Sequence, residues 1–416
     1  MTVPSSLRIL DLCEFFSDRG GGVRSYLERM GRAATDAGHE LTVVAPGAAH
    51  EVSARDGMRL IRYPAPRMPY DGTYRVPWRF DLMRRVVREQ RPDIVQISSP
   101  FAPAVAACTL GDAAVRVYLH HSDPIGCYVR PLLTRALPAV LAECIEYAAW
   151  GWHRKISAVC DATVVAAPWL ATELSELGCE RVSCVPFGIT RRDLGSHCRN
   201  SELRERLLGP LAVDPRAVLV LIAGRLAVDK RQALLIEALQ IVQRSRPVAL
   251  VVLGDGPERV RLERVARGLG YATFLPFTHD RAEFAGVLAS ADLLLHGALA
   301  ETYGFVIAEA LASGTPVVVP AAGGAGAFAR ADYSETYTAR DGVEAVARAV
   351  QRLLARPRTE LSLAASNAAR ALPSSEQHFE HLFALYSQLK ANKARRGCGS
   401  PATAGAHTVT LAHTWE

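Results

Sequence analysis

The chain has 416 residues, 49% of them hydrophobic and 22% charged, with a formal net charge of +6. Single cores stop growing near ~250–300 residues, so two domains are expected. The mildly basic balance suits anionic ligands in general and selects none, while the ordinary composition excludes fibrous, disulfide-scaffold and disordered classes.

The first half alternates short apolar strands with helical patterns. LRILDL reads as a strand, Gly20 to Gly22 as a turn, and VRSYLERMGRAATDAG as a helix closed by Gly38. ELTVVAP and GMRLIRY follow as strands, then the helix WRFDLMRRVVREQR and the strand DIVQIS. VRVYLHH is a strand, a long apolar helical region lies near 131–155, and ATVVAAP, LATELSELG and RVSCVPFGI complete another strand–helix–strand unit. Repeated units of this kind imply a parallel sheet covered on both faces.

The second half repeats the pattern. AVLVLIAGRL is a strand, KRQALLIEALQIVQRS a helix, VALVVLGDGP a strand entering a turn, and PERVRLERVARGLG a helix. ATFLPF is a strand, AEFAGVLASA a helix and DLLLHGA a strand. Helical residues from Phe305 to Ala312 stop at Gly314 and Pro316, and Val317 to Val319 form a buried strand. DGVEAVARAVQRLLAR and SSEQHFEHLFALYSQLK are the last helices. The predicted fold is α/β, with two facing doubly wound parallel-sheet domains of Rossmann-like type. Their expected limits are 1–195 and 196–372, with a polar linker near 190–205, a closing helix at 373–392 and a disordered tail at 393–416.

Nine cysteines lie scattered without a CxxC pair, which argues against a zinc ribbon or a thioredoxin-type site and for reduced thiols in a cytosol. The start, MTVPSSLRILDLCEF, has no basic stretch before an apolar core and does not read as a signal peptide. No apolar run reaches the ~18–20 residues needed to span a bilayer.

In doubly wound sheets ligands bind beyond the carboxyl ends of the strands, and the chemically informative residues follow strands here. Gly21 and Gly22 sit between the first strand and the first helix, where small residues let a ligand approach backbone amides; a plain tight turn explains them as well. No GxGxxG fingerprint is present. Arg225 leaves a strand, and Lys230 opens a helix five residues later. Two cations there suit a diphosphate, because cations at a helix N-terminus otherwise oppose its dipole. In ETYGFVIAE, the amides of Tyr303, Gly304 and Phe305 stand at a helix N-terminus suited to phosphate. Glu309 falls among core-type residues, where a bare carboxylate is costly, and could grip the vicinal hydroxyls of a ribose. Glu301 could hold a sugar ring or serve as an N-terminal helix charge.

His120 and His121 end a strand with Asp123 beyond, and alternation places His121 on the face of Val115, Val117 and Leu119 and His120 on the other. A neutral imidazole there could hydrogen-bond a sugar hydroxyl; no further ligand at telling spacing supports a metal. Residues 62–91 carry eight arginines against three acids, interleaved with Trp78, Phe80, Met83 and Val87. That segment reads as a surface for anionic lipid or an acidic acceptor, or equally as a solvated helix packed on a sheet.

GGGV after the first strand, AGRLxxxK, LGDGP, and E-x7-E before ASGTPVVVP with Gly323 and Gly324 together resemble the retaining glycosyltransferases of family four, which have the GT-B fold. The similarity runs over nearly all of residues 7–390. It implies that Arg225 and Lys230 hold the donor diphosphate, Glu309 the nucleotide ribose and Glu301 the transferred sugar. Gly21 and Gly22 would close on the phosphate, with Gly256 and Val306 also at the donor. His121 matches the family's histidine better than His120 does, and Lys390 lies on the helix that would cross back to the first domain. The sequence departs from the family pattern at GGAGAF, which lacks an acid, at Tyr303, and at LHGALAET before the first glutamate.

The implied activity is metal-independent hexose transfer from a UDP- or GDP-linked sugar to a hydroxyl of a glycan or lipid-linked acceptor. The resemblance implies front-face attack, with the leaving phosphate taking the acceptor's proton. His121, Arg225, Lys230 and Glu301 would be catalytic, and no cofactor is expected. The alternative is a catalytically inactive nucleotide-sugar-binding regulatory subunit. Expected partners are the donor and the acceptor, with peripheral contact to an anionic membrane allowed and no nucleic acid. The expected location is the cytoplasm or the inner membrane face. Base recognition is expected near Gly254 to Pro257 and Phe277 to His279.

Overall fold

The computed structural model describes residues 6–16, 21–68, 74–76, 79–110, 114–121, 123, 125–126 and 137–397. Gly20, Trp78, part of the apolar region near 131–155 and the tail from residue 398 lie outside the described residues.

The first unit runs from the start of the described chain to Ile125, resumes to Phe187, and includes the chain from Ser375. It contains β1 (Arg8–Leu12), α1 (Gly22–Asp36), β2 (Glu40–Gly47), β3 (Glu51–Arg55), β4 (Met58–Pro64), α2 (Phe80–Gln90), β5 (Ile94–Ile97) and α3 (Ala102–Cys108). Next come β6 (Val115–Leu119), α4 (Ala139–Val159), β7 (Ala162–Val165), α5 (Pro168–Glu176) and β8 (Val182–Cys184). The sheet order is β3-β4-β2-β1-β5-β6-β7-β8. Every pair is parallel except β3 with β4, which is antiparallel. The edge hairpin departs from the all-parallel expectation. Its strand EVSAR is largely exposed, so it carries no apolar run by which to recognise it.

The second unit, Gly188–Ser374, begins with α6 (Ser201–Leu208), β9 (Val218–Ala223), α7 (Gln232–Val242), β10 (Val248–Leu253) and α8 (Arg259–Ala266). It continues with β11 (Tyr271–Leu275), α9 (Arg281–Ser290), β12 (Leu293–Leu295), α10 (Phe305–Ala312), β13 (Val317–Pro320) and α11 (Gly323–Ala327). β14 (Ser334–Tyr337), α12 (Gly342–Leu354) and α13 (Arg358–Ala371) complete it. Its sheet, β11-β10-β9-β12-β13-β14, is wholly parallel. VLVLIA and VALVVL are buried throughout, as central strands covered on both faces must be. α12 buries Val346, Val350 and Leu353 along one stripe against that sheet, in a core shared with Leu235, Leu239 and Val252.

The segment read as a linker is bonded into the second unit. Arg191 donates to the carbonyls of Ala369 at 3.1 Å and Leu372 at 2.6 Å, and Ile189 N–H to Pro373 O at 3.1 Å. The final helix, α14 (Ser375–Gly397), belongs to the first unit and continues helical past residue 394. Lys390 and Lys393 pair there with Asp93 and Asp161, each at 2.9 Å. The apolar residues of the arginine-rich segment turn inward: Met83, Val86 and Val87 are buried with Leu12, Tyr63 and Ala106. The interleaving is therefore a core stripe of α2 and not an apolar face open to lipid. No described helix is long and apolar enough to cross a membrane.

Candidate active site

β9, β12 and β13 lie side by side, so the segments after their carboxyl ends converge although they are far apart in sequence. Arg225 and Lys230 follow β9, His296 and Glu301 follow β12, and Gly323 and Gly324 follow β13. The approach is tight: a Cβ on Gly297 would lie 2.6 Å from Lys230 O, and Gly324 N–H donates to Glu301 O at 2.6 Å.

The charged groups are paired with each other. Lys230 Nζ stands 2.8 Å from Glu301 Oε2 and 3.8 Å from Asp229 Oδ2. Arg225 Nη2 donates to Asp229 Oδ1 at 2.9 Å. His296 Nε2 lies 3.4 Å from Glu301 Oε2, in reach of a charge but not aligned as a hydrogen bond. Burial alone would raise the Glu301 carboxyl; Lys230 and His296 outweigh it and hold the group well below the usual carboxylate range. Arg225 and Lys230, the pair expected to face a diphosphate, each have a carboxylate partner, Asp229 and Glu301.

α10 opens at Gly304, whose φ of +97° favours glycine, and no side chain caps it. Tyr303 packs edge-on to Phe305 and Phe328. Tyr303 is buried, and Phe305 and Val306 are half-buried at the helix start. Glu309 lies one turn on, its side chain 16% exposed, and its partner is a residue no motif pointed to: Arg281 Nη1 at 3.3 Å. The carboxylate among apolar neighbours thus has a cation from the start of α9. Gly256 belongs to the turn after β10, where a Cβ would come within 2.2 Å of Leu226 O, so glycine lets this turn press against the Arg225 loop.

In the first unit Gly21 precedes α1 and Gly22 begins it. β6 ends at Leu119, and the two histidines part as alternation predicts. His120 continues the ladder, its N–H donating to Val164 O at 2.9 Å. Its ring is 1% exposed against Tyr118 and His153, and neither ring nitrogen has a hydrogen-bond partner among the described residues. His121 lies edge-on to the Tyr26 ring, with Nε2 3.1 Å from Ser98 Oγ. Burial, then His120 and His378, push the His121 imidazole down to about 3, so it is neutral at working pH. Sequence reasoning missed Asp11, Ser98, Asp229, Arg281 and His296. Ser98 and His296 carried a signal, as polar residues directly after the ends of β5 and β12, and Asp229 did so by its place between Arg225 and Lys230. Among the described residues no group of side chains could hold a metal ion.

The model described as "Glycosyl transferases group 1" matches residues 204–372, and that described as "Glycosyltransferase Family 4" matches residues 20–192. A GDP-mannose-dependent alpha-(1-6)-phosphatidylinositol dimannoside mannosyltransferase of Mycobacterium tuberculosis is 29% identical over 353 residues, 84% of this chain and 88% of that protein. A GDP-mannose-dependent alpha-mannosyltransferase of Corynebacterium glutamicum is 28% identical, with 78% and 75% covered. Sucrose-phosphate synthase of Thermosynechococcus elongatus superposes with a TM-score of 0.74 at 19% identity, covering 93% of this chain and 100% of that one, which is a likeness of fold. With both halves matched in order and the two sheets of the GT-B fold in place, the chain belongs to the family-four glycosyltransferases of group 1.

Proposed function

We propose that the protein is a retaining, metal-independent mannosyltransferase that moves mannose from GDP-mannose to a hydroxyl of a lipid-linked mannoside. The donor and acceptor classes are supported by the activities of its relatives, which use GDP-mannose and, in one case, phosphatidylinositol dimannoside. The observation that carries the reading is the Lys230–Glu301 pair, 2.8 Å apart at the carboxyl ends of adjacent strands.

Lys230 has three N–H donors, so it can turn toward phosphate oxygens while Glu301 takes a sugar hydroxyl. Arg225 and the uncapped start of α10 add fixed positive charge where the leaving diphosphate gains negative charge, the preorganised electrostatics that usually dominates catalysis. Tyr303, Gly304, Phe305 and Val306 line that helix start, with Gly256 in the turn beside the Arg225 loop. Glu309, steadied by Arg281, holds the ribose hydroxyls. Gly21 and Gly22 offer further amides to phosphate, and neutral His121 hydrogen-bonds the transferred sugar. Attack on the sugar's retained face breaks the bond from the anomeric carbon to the phosphate, forms the new glycosidic bond and sends the acceptor's proton to the leaving phosphate. The acceptor's location makes peripheral membrane contact part of the proposal, through the arginines of α2 and not through its buried apolar stripe.

The test is product analysis with GDP-mannose and a phosphatidylinositol mannoside in chelator. An α-linked product, lost in Glu301→Ala, supports the reading. A β-linked product refutes retention, and donor binding without turnover favours a regulatory subunit.

A further inference from the structure

His121 is held by a chain of polar groups drawn from two strands, β1 and β5, and the last helix, all inside the first unit. Ser98 Oγ lies 3.1 Å from His121 Nε2 and 2.6 Å from Asp11 Oδ2. Gln96 Nε2 donates to Asp11 Oδ2 and stands 3.3 Å from Ser98 Oγ, while Tyr386 O–H donates to Gln96 Oε1. Asp11 and Gln96 are fully buried and Ser98 is 2% exposed. Among the described residues no lysine or arginine bonds Asp11, and its Oδ1 has no hydrogen-bond partner. A buried carboxylate without a cation is costly, so a fold that keeps one obtains something other than stability from it.

The hydrogen count decides what that is. Ser98 has one hydrogen. The 2.6 Å contact fits an O–H donating to a carboxylate oxygen, whereas two bare acceptors at that distance would repel. With its hydrogen turned to Asp11, Ser98 can only accept from the ring, so the His121 proton sits on Nε2 and Nδ1 carries the lone pair. Because His121 is neutral, it has one N–H to place, and its tautomer determines whether it donates or accepts. We propose that Ser98, oriented by Asp11, is a positioning residue that fixes His121 as the Nε2–H tautomer and thereby presents Nδ1 as an acceptor to a hydroxyl of the transferred sugar. The sugar part of this rests on the transferase reading; the tautomer part does not.

Burial raises the Asp11 carboxyl to about 7 against the opposing bonds from Ser98 and Gln96, so the arrangement described is the form above neutral pH. Below that, a proton on Asp11 would donate to Ser98 Oγ and release the hydroxyl hydrogen toward Nε2. The other titratable groups around Asp11 are Cys13, on the loop leaving β1, and Tyr26 of α1, both raised by burial and then by Asp11 itself, and Tyr386 of α14, raised by burial, then Tyr26 and then Asp11; all are neutral, as is His121. Glu14, also raised to about 7 by burial, is a separate titration that Asp11→Asn leaves in place.

The experiment is nitrogen-15 NMR of the histidine rings with transfer assays on the same samples at pH 8. The expected wild-type signal is an Nε2 proton, hydrogen-bonded and slow to exchange, that Ser98→Ala shifts and exposes and Ser98→Thr restores. Ser98→Ala should lower kcat about ten-fold, with donor KM moving less than about two-fold. If Ser98→Ala does not fold, Asp11→Asn serves. Its amide can donate to Ser98, so part of the His121 proton moves to Nδ1 and the step in rate near pH 7 that belongs to Asp11 disappears. A wild-type proton on Nδ1, or an unaltered spectrum in these variants, overturns the proposal. A changed spectrum with an unchanged rate overturns the catalytic consequence. A wild type that shows the expected tautomer and transfers no sugar sinks the transferase reading instead.

Discussion

In the second unit the polar groups of the candidate site come as opposite charges: Lys230 with Glu301, Arg225 with Asp229, Arg281 with Glu309. In the first unit one carboxylate, Asp11, is linked through Ser98 to the neutral groups His121, Tyr26 and His378 by hydrogen bonds or ring edges, and no lysine or arginine bonds Asp11 among the described residues. The first arrangement suits a ligand that brings charge, since ion pairs can re-partner with a diphosphate. The second suits a ligand of hydroxyls, because neutral groups with fixed tautomers discriminate donors from acceptors without a net field. A charged site therefore fails when a charge is removed, and a neutral site fails when a proton is added.

The largest effect expected on this view is in the charged unit. Lys230→Ala and Glu301→Ala should each cut transfer by about 10²–10³ with the fold intact, the scale of losing one preorganised electrostatic contact. Steady-state rates with GDP-mannose and circular dichroism check this, and near-normal turnover in either variant would remove the charged site from the mechanism.

The contrast also has a pH signature. Chiefly by desolvation, His120, His121, His153 and His378 are pushed down to between about 3 and 4 from an ordinary value of 6.5. A lowered histidine keeps its stabilising contribution above the unfolded value and loses it as pH falls below about 6.5. Asp11 and Glu14, raised to about 7, act in the opposite sense, binding protons in the folded state between about 4 and 7. Four groups against two leave a net loss, on the order of 1–3 kcal/mol per pH unit between about 6.5 and 4.5. Glu301, held low in the second unit, contributes above about 4.5 and loses that contribution only below it. Hydrogen exchange followed by peptide at pH 7.5, 6 and 5 should show the first unit opening before the second. Simultaneous opening would contradict the comparison.

Smaller changes sharpen it. Glu301→Gln frees Lys230 from its carboxylate without creating a cavity, so GDP alone should bind about five-fold tighter, or ~1 kcal/mol, while transfer falls. Calorimetry with GDP reads this, and unchanged affinity would mean that the Lys230–Glu301 pair does not compete with phosphate. The Arg281 side chain is 44% exposed, so its pair with Glu309 is largely screened. Arg281→Ala should cost less than about 1 kcal/mol in donor affinity, with a correspondingly small rise in KM.

Much of the architecture was legible because it is local. AVLVLIA, VALVVL and DLLL read as strands from their apolar runs, and FVIAEALASG as a helix with its stop. The edge strand EVSAR was not, because it is largely exposed and carries no apolar run. The arginine-rich segment was ambiguous for the same kind of reason, since a stripe on a helix reads alike whether it meets a core or a membrane. Sequence also placed Arg225, Lys230, Glu301, Glu309 and His121 at strand exits or helix starts, and it marked the carboxylates as needing partners.

Which partners they found was decided by tertiary structure alone. Lys230 and Glu301 are 71 residues apart, Arg281 and Glu309 28, Asp11 and Ser98 87. The first pair meets because β9 lies beside β12 and the last because β1 lies beside β5, an order set by crossover connections between non-consecutive strands, while Arg281 and Glu309 join the helices before and after β12. Periodicity records only which face of its own element a residue occupies. A pairing across two crossovers leaves no trace in either local pattern, so the sequence determined the groups of this site and where each stood, and the fold decided which of them would share a proton or a charge.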